Sequence, residues 1–247
     1  IHDHEKLGWM TFAQMIQKSS NIGAAKTGML VGDQRLYRYL QAFGFGQRTD
    51  IDLPGEVSGL LKAPREWGRR SLASISMGQE VGVTPVQMIT AVSAIANDGV
   101  LMKPYVVAEV RDQKGQRMKE ILPQVKRRVV SPATAHTLTT IMEGVVSSGT
   151  GTKAAIPGFR VAGKTGTAQK VDPHTGTYSS ALSIGSFVGF VPADAPRLAI
   201  IVVVDEPQGE AWGGVVAAPV FRRVGEQVLT YLGVPRDDQV KIALAAR

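Results

Sequence analysis

The fold class of this chain is decided by residues 160–170, RVAGKTGTAQK. Before this point the apolar residues recur at helical spacing, whereas here they begin to alternate with polar ones, as in a half-buried strand. Residues 183–191 and 197–205 have the same strand-like character, and Gly, Pro and Asp bound all three segments. One spacer between them is short and the other is rich in turn residues, which predicts a meander of antiparallel strands.

Helices are predicted in the sequence both before and after these three strands. Thr84 is followed by Pro85 and, three positions on, by Gln87, a combination that caps a helix start. Ser131-Pro132 opens another helix in the same way. Further helices are predicted behind Thr11, over residues 22–30, around residues 33–44 and over residues 219–232. Helices, then strands, then a helix indicate the α+β class.

The last predicted helix has a regular apolar pattern. Phe221, Val224, Val228 and Leu232 follow one another at three- or four-residue spacing, so they are expected to face the core as one stripe. Residues 236–247, beyond this helix, are expected to form a C-terminal tail.

Composition limits the classes of protein to consider. The chain has 247 residues, of which 44% are hydrophobic and 20% charged, which excludes wholesale disorder. It contains no cysteine, which excludes disulfide frameworks, thiol nucleophiles and cysteine-zinc sites. The longest apolar run, residues 198–204, is far shorter than the ~20 residues that span a bilayer. The net charge of +7 favours an anionic neighbour, but no interleaving of aromatic and basic residues suggests nucleic acid.

Lys164-Thr165-Gly166-Thr167, inside the first predicted strand, is the strongest candidate for chemistry. Gly166 packs no side chain and weakens a strand interior, so a ligand or another backbone is expected to approach it closely. An extended substrate could lie along this strand. Lys164 would supply positive charge and the two threonines hydroxyl groups. Such a set suits the binding of a carboxylate and the contribution of a backbone N–H to an oxyanion hole.

The same region also matches a phosphate-binding loop. Residues 158–165, GFRVAGKT, fit the pattern G-x-x-x-x-G-K-[ST]. Such a loop opens a helix after a strand, whereas residues 159–162 alternate like a strand themselves. Residues 167–178 contain Pro173 and Gly176 rather than a helical pattern. The nucleotide interpretation, which predicts magnesium-dependent ATP binding, is therefore disfavoured.

Two polar clusters lie near the start of the chain. Ser19-Ser20-Asn21 follows a predicted helix, and on its own such a triplet is typical of helix capping. His2-Asp3-His4-Glu5 could suggest a metal site. Adjacent side chains of an extended segment point to opposite faces, however, so these are not expected to converge on a metal.

Taken together, Ser19-x-Asn21 and Lys164-Thr165-Gly166 resemble the S-x-N and K-T-G motifs of the penicillin-binding protein transpeptidases. Five landmarks are similar to the class B, cell-division type of that family and occur in the same order: residues 19–26, 44–56, 76–100, 186–193 and 217–221. The resemblance covers nearly the whole chain.

This resemblance implies a serine β-lactamase/penicillin-binding-protein-like α+β fold, an antiparallel sheet flanked by helices. Residues 1–235 would be the C-terminal portion of the transpeptidase domain. The implied activity is serine-type D,D-transpeptidation in septal peptidoglycan synthesis. A serine attacks the D-Ala-D-Ala peptide bond of a stem peptide, D-alanine leaves, and the acyl group passes to an amine of a neighbouring stem. β-Lactam antibiotics acylate the same serine.

The resemblance also implies surroundings and partners. The protein would lie in the cell envelope, on the extracytoplasmic face of the inner membrane in the periplasm. Its partners would be peptidoglycan stem peptides, β-lactams and membrane proteins of the divisome. No cofactor, metal or nucleic acid is implied.

The same resemblance implies a role for each motif residue. Ser19 would belong to the proton-transfer network, and Asn21 would hydrogen-bond the substrate backbone. Lys164 would hold positive potential over the site and support Ser19. Thr165 and Thr167 would bind the substrate carboxylate, and the backbone N–H of Thr167 would form half of the oxyanion hole.

The chain departs from the family in its first motif, because no S-x-x-K occurs in the 247 residues. Ser58 reaches Lys62 one position too late, and Thr150 reaches Lys153 with the wrong residue type. We therefore expect the nucleophile on an upstream segment of the same protein, together with the membrane anchor and pedestal domain of the family. The N-terminal part of the domain, including the first strands of its sheet, would be missing. This chain alone is expected to be inactive, with open strand edges and exposed apolar surface.

Two alternatives share the fold. A non-catalytic divisome interaction module would keep the fold without the nucleophile, although such a protein has little physical reason to retain Gly166 in a strand. A serine β-lactamase would hydrolyse the acyl-enzyme, which requires a positioned water and base that the sequence does not reveal.

Overall fold

A computed structural model describes residues 1–172 and 174–237. The α-helices are α1 (Phe12–Lys18), α2 (Asn21–Val31), α3 (Asp33–Ala42), α4 (Ser71–Ser76), α5 (Pro85–Ala96), α6 (Pro132–Ser147), α7 (Gly213–Val216) and α8 (Ala218–Tyr231). The strands are β1 (Val100–Lys103), β2 (Glu109–Arg111), β3 (Arg117–Glu120), β4 (Gln124–Arg128), β5 (Ala162–Val171), β6 (Tyr178–Val191) and β7 (Leu198–Asp205). Single turns of 3₁₀-helix cover Pro64–Glu66 and Thr152–Ala154. The predicted α+β class is confirmed.

The main sheet is the predicted antiparallel meander, in the order β5-β6-β7. Lys164 pairs with Val188 and Gly166 with Ser186, so the Lys-Thr-Gly-Thr segment lies along β6. Phe187 of β6 pairs in turn with Val202 of β7. Within the described part of the chain, the outer edges of β5 and β7 have no partner strand. The candidate residues are therefore on an edge strand.

The two faces of this sheet are buried against different helices. On one face, Phe187 packs edge-on against Phe221 of α8, with ring centroids 4.7 Å apart. On the other, Phe190 packs with Val92 of α5 and Met142 of α6. Phe187 and Phe190 are fully buried, and complete burial of one such side chain is worth roughly 1.5–3 kcal/mol. Burial on both faces fixes the strand register, because a slip of one residue would exchange the two faces.

The buried stripe of α8 differs from the predicted one, which is wrong at two of its four positions. Val224 is 40% exposed and Leu232 48% exposed. The buried residues are Ala218, Phe221, Gly225 and Leu229. A Cβ on Gly225 would lie 2.7 Å from Cδ1 of Ile156, so the small residues let the helix approach its neighbours closely. The prediction counted only large apolar side chains and therefore rotated the stripe.

The predicted capping box at the start of α5 is confirmed and has a second role. Oγ1 of Thr84 accepts from the Gln87 N–H at 3.1 Å, and Oε1 of Gln87 accepts from the Thr84 N–H at 2.9 Å. The Gln87 amide also donates to the carbonyl oxygens of Gln47 and Ser58, at 2.7 and 2.8 Å. Gln87 is 1% exposed, so this one side chain caps the helix and fixes two loops inside the protein.

Most of the predicted tail, residues 238–247, lies outside the described residues. At its start, the Asp237 carboxylate accepts from the Arg160 N–H at 2.7 Å, and the Asp237 N–H donates to the Gly158 carbonyl at 2.8 Å. The chain after α8 is thus held against the segment that leads into β5. No helix among the described residues has the length and apolar character needed to cross a membrane.

Candidate active site

The Ser19-Ser20-Asn21 triplet forms the connection between α1 and α2. Ser19 caps the C-terminus of α1 in the left-handed conformation, with φ 56° and ψ 45°. Ser20 caps the N-terminus of α2, where its Oγ accepts from the Gly23 N–H at 3.0 Å. The triplet is therefore a double helix cap. Ser19 caps α1 through its backbone N–H, and its hydroxyl instead contacts a residue outside the two helices.

The N-terminal segment holds this connection in place. The Ser20 hydroxyl donates to the Asp3 carboxylate at 2.8 Å, and the Ile22 N–H donates to the same carboxylate at 3.1 Å. A carboxylate in this position also interacts favourably with the helix dipole of α2. The Asn21 amide donates to the His2 carbonyl at 3.3 Å. Asp3 thus anchors the connection between α1 and α2. This structural role explains the presence of Asp3 between two histidines without a metal site.

Lys164 connects the two distant motifs. Its Nζ donates to Oγ of Ser19 at 2.8 Å, across a sequence separation of 145 residues. The same nitrogen donates to the Thr165 carbonyl at 2.9 Å and lies 3.5 Å from Oγ1 of Thr165. The ammonium group is thus fixed between the end of α1 and the edge strand β5.

Burial changes the acidity of this lysine. The surrounding protein removes water from the ammonium and lowers the pKa of Lys164 from 10.5 to about 8. No carboxylate among the described residues forms an ion pair with it to offset that cost. Near neutral pH Lys164 therefore carries a charge that it gives up more readily than an ordinary lysine. Such a group can hold positive potential over a site and can also exchange a proton with a neighbouring hydroxyl.

The two threonines of the motif are each held by a further part of the chain. Oγ1 of Thr165 lies 2.6 Å from Oγ1 of Thr150, in the loop after α6. Oγ1 of Thr167 accepts from the Gly213 N–H at 3.2 Å, at the start of α7. A Cβ on Gly213 would collide with the carbonyl oxygens of Gly166 and Ser186. The loop after β7 therefore lies directly against the backbone of the candidate strand.

The packing around position 166 explains why a glycine is required there, and the sequence alone does not reveal this packing. A Cβ at this position would lie 2.5 Å from Oγ of Ser186, its cross-strand partner. The absence of a side chain thus makes room for the side chain of Ser186 on β6.

Thr150 is a residue of this site that the sequence pattern does not indicate. The surrounding residues 147–151 consist of serine, threonine and glycine and resemble any polar loop. Nothing in the local pattern indicates a contact with a strand residue 15 positions later. The contact depends on how the end of α6 packs against β5, which only the fold shows.

The structure contradicts the phosphate-loop alternative. β5 begins at Ala162 and runs to Val171, so Lys164 and Thr165 are inside a strand. A phosphate-binding loop would place them at the N-terminus of a helix, where free backbone N–H groups converge on the anion. Residues 158–165 have no such geometry.

A pair of aromatic rings links the N-terminal segment to the loop before Gly213. The rings of His4 and Trp212 meet edge to face, with centroids 4.3 Å apart and an interplanar angle of 87°. Trp212 directly precedes Gly213 and is 44% exposed. The pair joins the N-terminal segment, which anchors the triplet, to the loop that supports β5.

This chain matches one family model and several curated proteins. The model, described as the penicillin binding protein transpeptidase domain, covers residues 1–226. Stage V sporulation protein D of Bacillus subtilis is 41% identical over 237 residues, which are 95% of this chain and 36% of that protein. A Neisseria flavescens protein named probable peptidoglycan D,D-transpeptidase PenA is 34% identical over 222 residues, 89% of this chain and 52% of that protein.

The fold is similar to that of solved structures. Penicillin binding protein 3 of Mycobacterium tuberculosis, in its complex with aztreonam, superposes with a TM-score of 0.89 and 36% identity. The match covers 96% of this chain and 55% of that one. The chain thus spans 36% to 55% of the length of these three relatives.

Proposed function

Because this chain belongs to the penicillin-binding protein transpeptidase family, we propose that it forms one side of the active site of a serine-type peptidoglycan D,D-transpeptidase. The observation that carries this proposal is the 2.8 Å hydrogen bond from Lys164 to Ser19. It brings the Ser-x-Asn and Lys-Thr-Gly motifs to one place, and acyl transfer needs both. The relatives named for D,D-transpeptidation or crystallised with a β-lactam support the same reaction.

In this proposal each motif residue has a distinct task. Lys164 supplies positive potential and, with its lowered pKa, exchanges a proton with Ser19. Asn21 hydrogen-bonds the substrate backbone. Thr165 and Thr167 bind the terminal carboxylate of the stem peptide, or the equivalent carboxylate of a β-lactam. The Thr167 N–H donates to the developing oxyanion, in a position where a lost donor typically costs about 10²–10³-fold in rate.

Gly166 completes this strand. Since β5 is an edge strand, an extended stem peptide can lie along its outer edge, while the missing side chain of residue 166 makes room for Ser186 of β6. Backbone hydrogen bonds to a strand edge are a common way to hold an extended peptide.

The nucleophile and its lysine come, in this proposal, from an upstream segment of the same protein. The 247 residues contain no S-x-x-K. Ser19 and Lys164 are hydrogen-bonded to each other and would assist proton transfer to and from such a serine and lysine. The outer edge of β7 is also without a partner in the described part of the chain, which leaves a place for an upstream strand. The complete protein would cross-link stem peptides during septal wall synthesis.

The site of action follows from the substrate. Peptidoglycan lies in the cell envelope, so we place the protein on the extracytoplasmic face of the inner membrane, with an anchor outside this chain. Membrane proteins of the divisome are its expected partners.

Labelling with a fluorescent penicillin tests the proposed function. The polypeptide extended upstream to include an S-x-x-K is expected to carry a covalent fluorescent band on a denaturing gel. The 247-residue chain alone is expected to carry none. Heat-denatured protein and competition by unlabelled penicillin control for non-specific labelling. Absence of a band from the folded, extended polypeptide would overturn the proposal, and rapid loss of the band with release of hydrolysed penicillin would indicate a β-lactamase instead.

A further inference from the structure

The hydroxyl groups of Thr165 and Thr167 share one feature, since the oxygen of each lies within hydrogen-bond distance of a group from elsewhere in the chain. The Gly213 N–H donates to Oγ1 of Thr167 at 3.2 Å. The Thr150 hydroxyl lies 2.6 Å from Oγ1 of Thr165, and either oxygen of that pair has the geometry to donate. The two threonines thus have different supports on the protein side, one a backbone amide and one a side chain.

The single proton of each threonine hydroxyl decides whether that group can still donate to a ligand once the protein contacts its oxygen. A threonine hydroxyl carries one proton and accepts with its lone pairs. When its oxygen accepts from the protein, its single proton remains for another acceptor. A carboxylate is the strongest acceptor that such a site would meet, because hydrogen bonds to an ionised group are about twice as strong as neutral ones. Thr167 is held in this way by Gly213.

We propose that Thr150 is a positioning residue of the active site, which donates to Oγ1 of Thr165 and so directs the Thr165 proton at the substrate carboxylate. This inference rests on the proposed function, in which Thr165 binds that carboxylate. Lys164 contributes to the same polarity, because its Nζ lies 3.5 Å from Oγ1 of Thr165 and repels the hydroxyl proton. Thr150 itself does not touch the substrate in this arrangement.

The backbone of Thr150 is fixed on both sides, which gives its hydroxyl a defined direction. Its N–H donates to the Gln17 carbonyl at 3.2 Å, and Gln17 lies in the last turn of α1, two residues before Ser19. A Cβ on Gly214 would collide with the Thr150 carbonyl, so α7 packs directly against it. The next residue, Gly151, donates to the Val145 carbonyl at 2.9 Å. Thr150 therefore braces the end of α1, the end of α6 and β5 against one another.

A double-mutant cycle on the acylation rate tests this role. In the upstream-extended polypeptide, Thr150→Val keeps the shape of the side chain but removes the donor. We expect it to lower the second-order rate of acylation by benzylpenicillin by about 10-fold, because the Thr165 proton is no longer directed at the carboxylate and its hydrogen bond to that charged group is weakened. Thr150→Ser, which keeps the hydroxyl, is expected to restore most of that rate.

The Thr165→Val background separates positioning from a purely structural effect. If Thr150 acts through the Thr165 hydroxyl, Thr150→Val adds no further loss to the Thr165→Val variant. Thr140→Val is the matched control, because Thr140 lies on the exposed side of α6 and only bonds the His136 carbonyl of its own helix. Its acylation rate is expected to equal that of the wild type.

Two results would overturn the inference. One is an equal loss from Thr150→Val with and without Thr165→Val, which would show that Thr150 only supports the fold. The other is an unchanged rate for Thr150→Val. A wild-type polypeptide that is folded but not acylated at all would instead contradict the proposed function. A thermal melt of each variant shows whether it has folded.

Discussion

The Nζ of Lys164 lies 2.8 Å from Oγ of Ser19, and this single contact joins an edge strand to the end of a helix 145 residues away. No ion pair among the described residues holds Lys164 in this position. Ser19 is positioned by the left-handed cap of α1, and Lys164 by its place in a strand that pairs in continuous register with β6 from Ala162 to Gln169. The geometry of the site is therefore set by backbone structure.

Removal of the lysine should reduce catalysis far more than stability. In the upstream-extended polypeptide, Lys164→Ala is expected to slow acylation by benzylpenicillin by about 10²–10³-fold, because a preorganised charge is lost from a site with little water. Lys170→Ala is the matched control, since Lys170 lies on the same strand and pairs with Asp205 and Glu206 at the protein surface. Stopped-flow or quenched acylation kinetics measure both. An unchanged rate for Lys164→Ala would remove this residue from the site.

The lowered pKa of Lys164 predicts a pH dependence of stability. The folded protein releases this proton at about pH 8 and the unfolded chain at about 10.5. Between these values the unfolded state binds more protons, so this group makes stability rise with pH across that window. The free energy of unfolding of the wild type should therefore increase relative to that of Lys164→Met from pH 8 to 10.5. Urea unfolding of the extended polypeptide at several pH values measures the difference.

Lys170 is a control for this experiment, because its pKa is shifted in the opposite direction to that of Lys164. Its ammonium donates hydrogen bonds to the carboxylates of Glu206 and Asp205, which raises the pKa of Lys170, so its contribution to stability is present below the unfolded value and is lost as the pH rises further. Lys170→Met should show no relative gain for the wild type between pH 8 and 10.5. A wild-type to Lys164→Met difference that stays constant with pH would contradict the assigned burial of Lys164.

Gly213 should be intolerant of any side chain. In Gly213→Ala the new methyl group would collide with the backbone carbonyls of Gly166 and Ser186, so the loop must move away from β5 and release Thr167. Overpacking of this kind typically costs 1–3 kcal/mol, and we expect a matching loss in thermal stability together with slower acylation. Gly8→Ala is the control, because a Cβ there meets no atom within 4 Å. Equal melting temperatures for the two variants would contradict the close packing described.

The chain is expected to fold cooperatively only together with the proposed upstream segment. The outer edge of β7 is unpaired among the described residues, and Trp9, Met29 and Leu30 expose large apolar side chains near α1 and α2. Open edges and exposed apolar surface of this kind favour association over a stable monomer. Circular dichroism of the 247-residue chain should show a broad melt, and the extended polypeptide a sharp one. A sharp two-state melt of the chain alone would contradict this.

Much of the fold was predictable because local signals and packing agree. The capping signals at Thr84 and Ser131 gave helix starts that the structure reproduces at Pro85 and Pro132. The alternation in residues 160–170 and 197–205 gave two strands to within two residues of their observed ends. These elements bury regular faces, so their sequence period reflects their environment.

Elements without a buried face were not predictable in the same way. β2 and β3 are exposed at every position, so no alternation marks them. The predicted buried stripe of α8 is misplaced because it counts only large apolar residues. Ala218 and Gly225 are buried because their small size lets the helix pack closely against its neighbours. At the site, the two motifs could be named from sequence, whereas Thr150 and Gly213 act through long-range contacts that leave no local pattern.

Identification of the acylated residue tests the central claim most directly. The extended polypeptide is treated with benzylpenicillin, digested, and analysed by mass spectrometry for the peptide that carries the penicilloyl group. The account predicts the adduct on the serine of an S-x-x-K upstream of Ile1, with its yield sharply reduced in Lys164→Ala. An adduct on Ser19, or on any other residue of the 247, would contradict it.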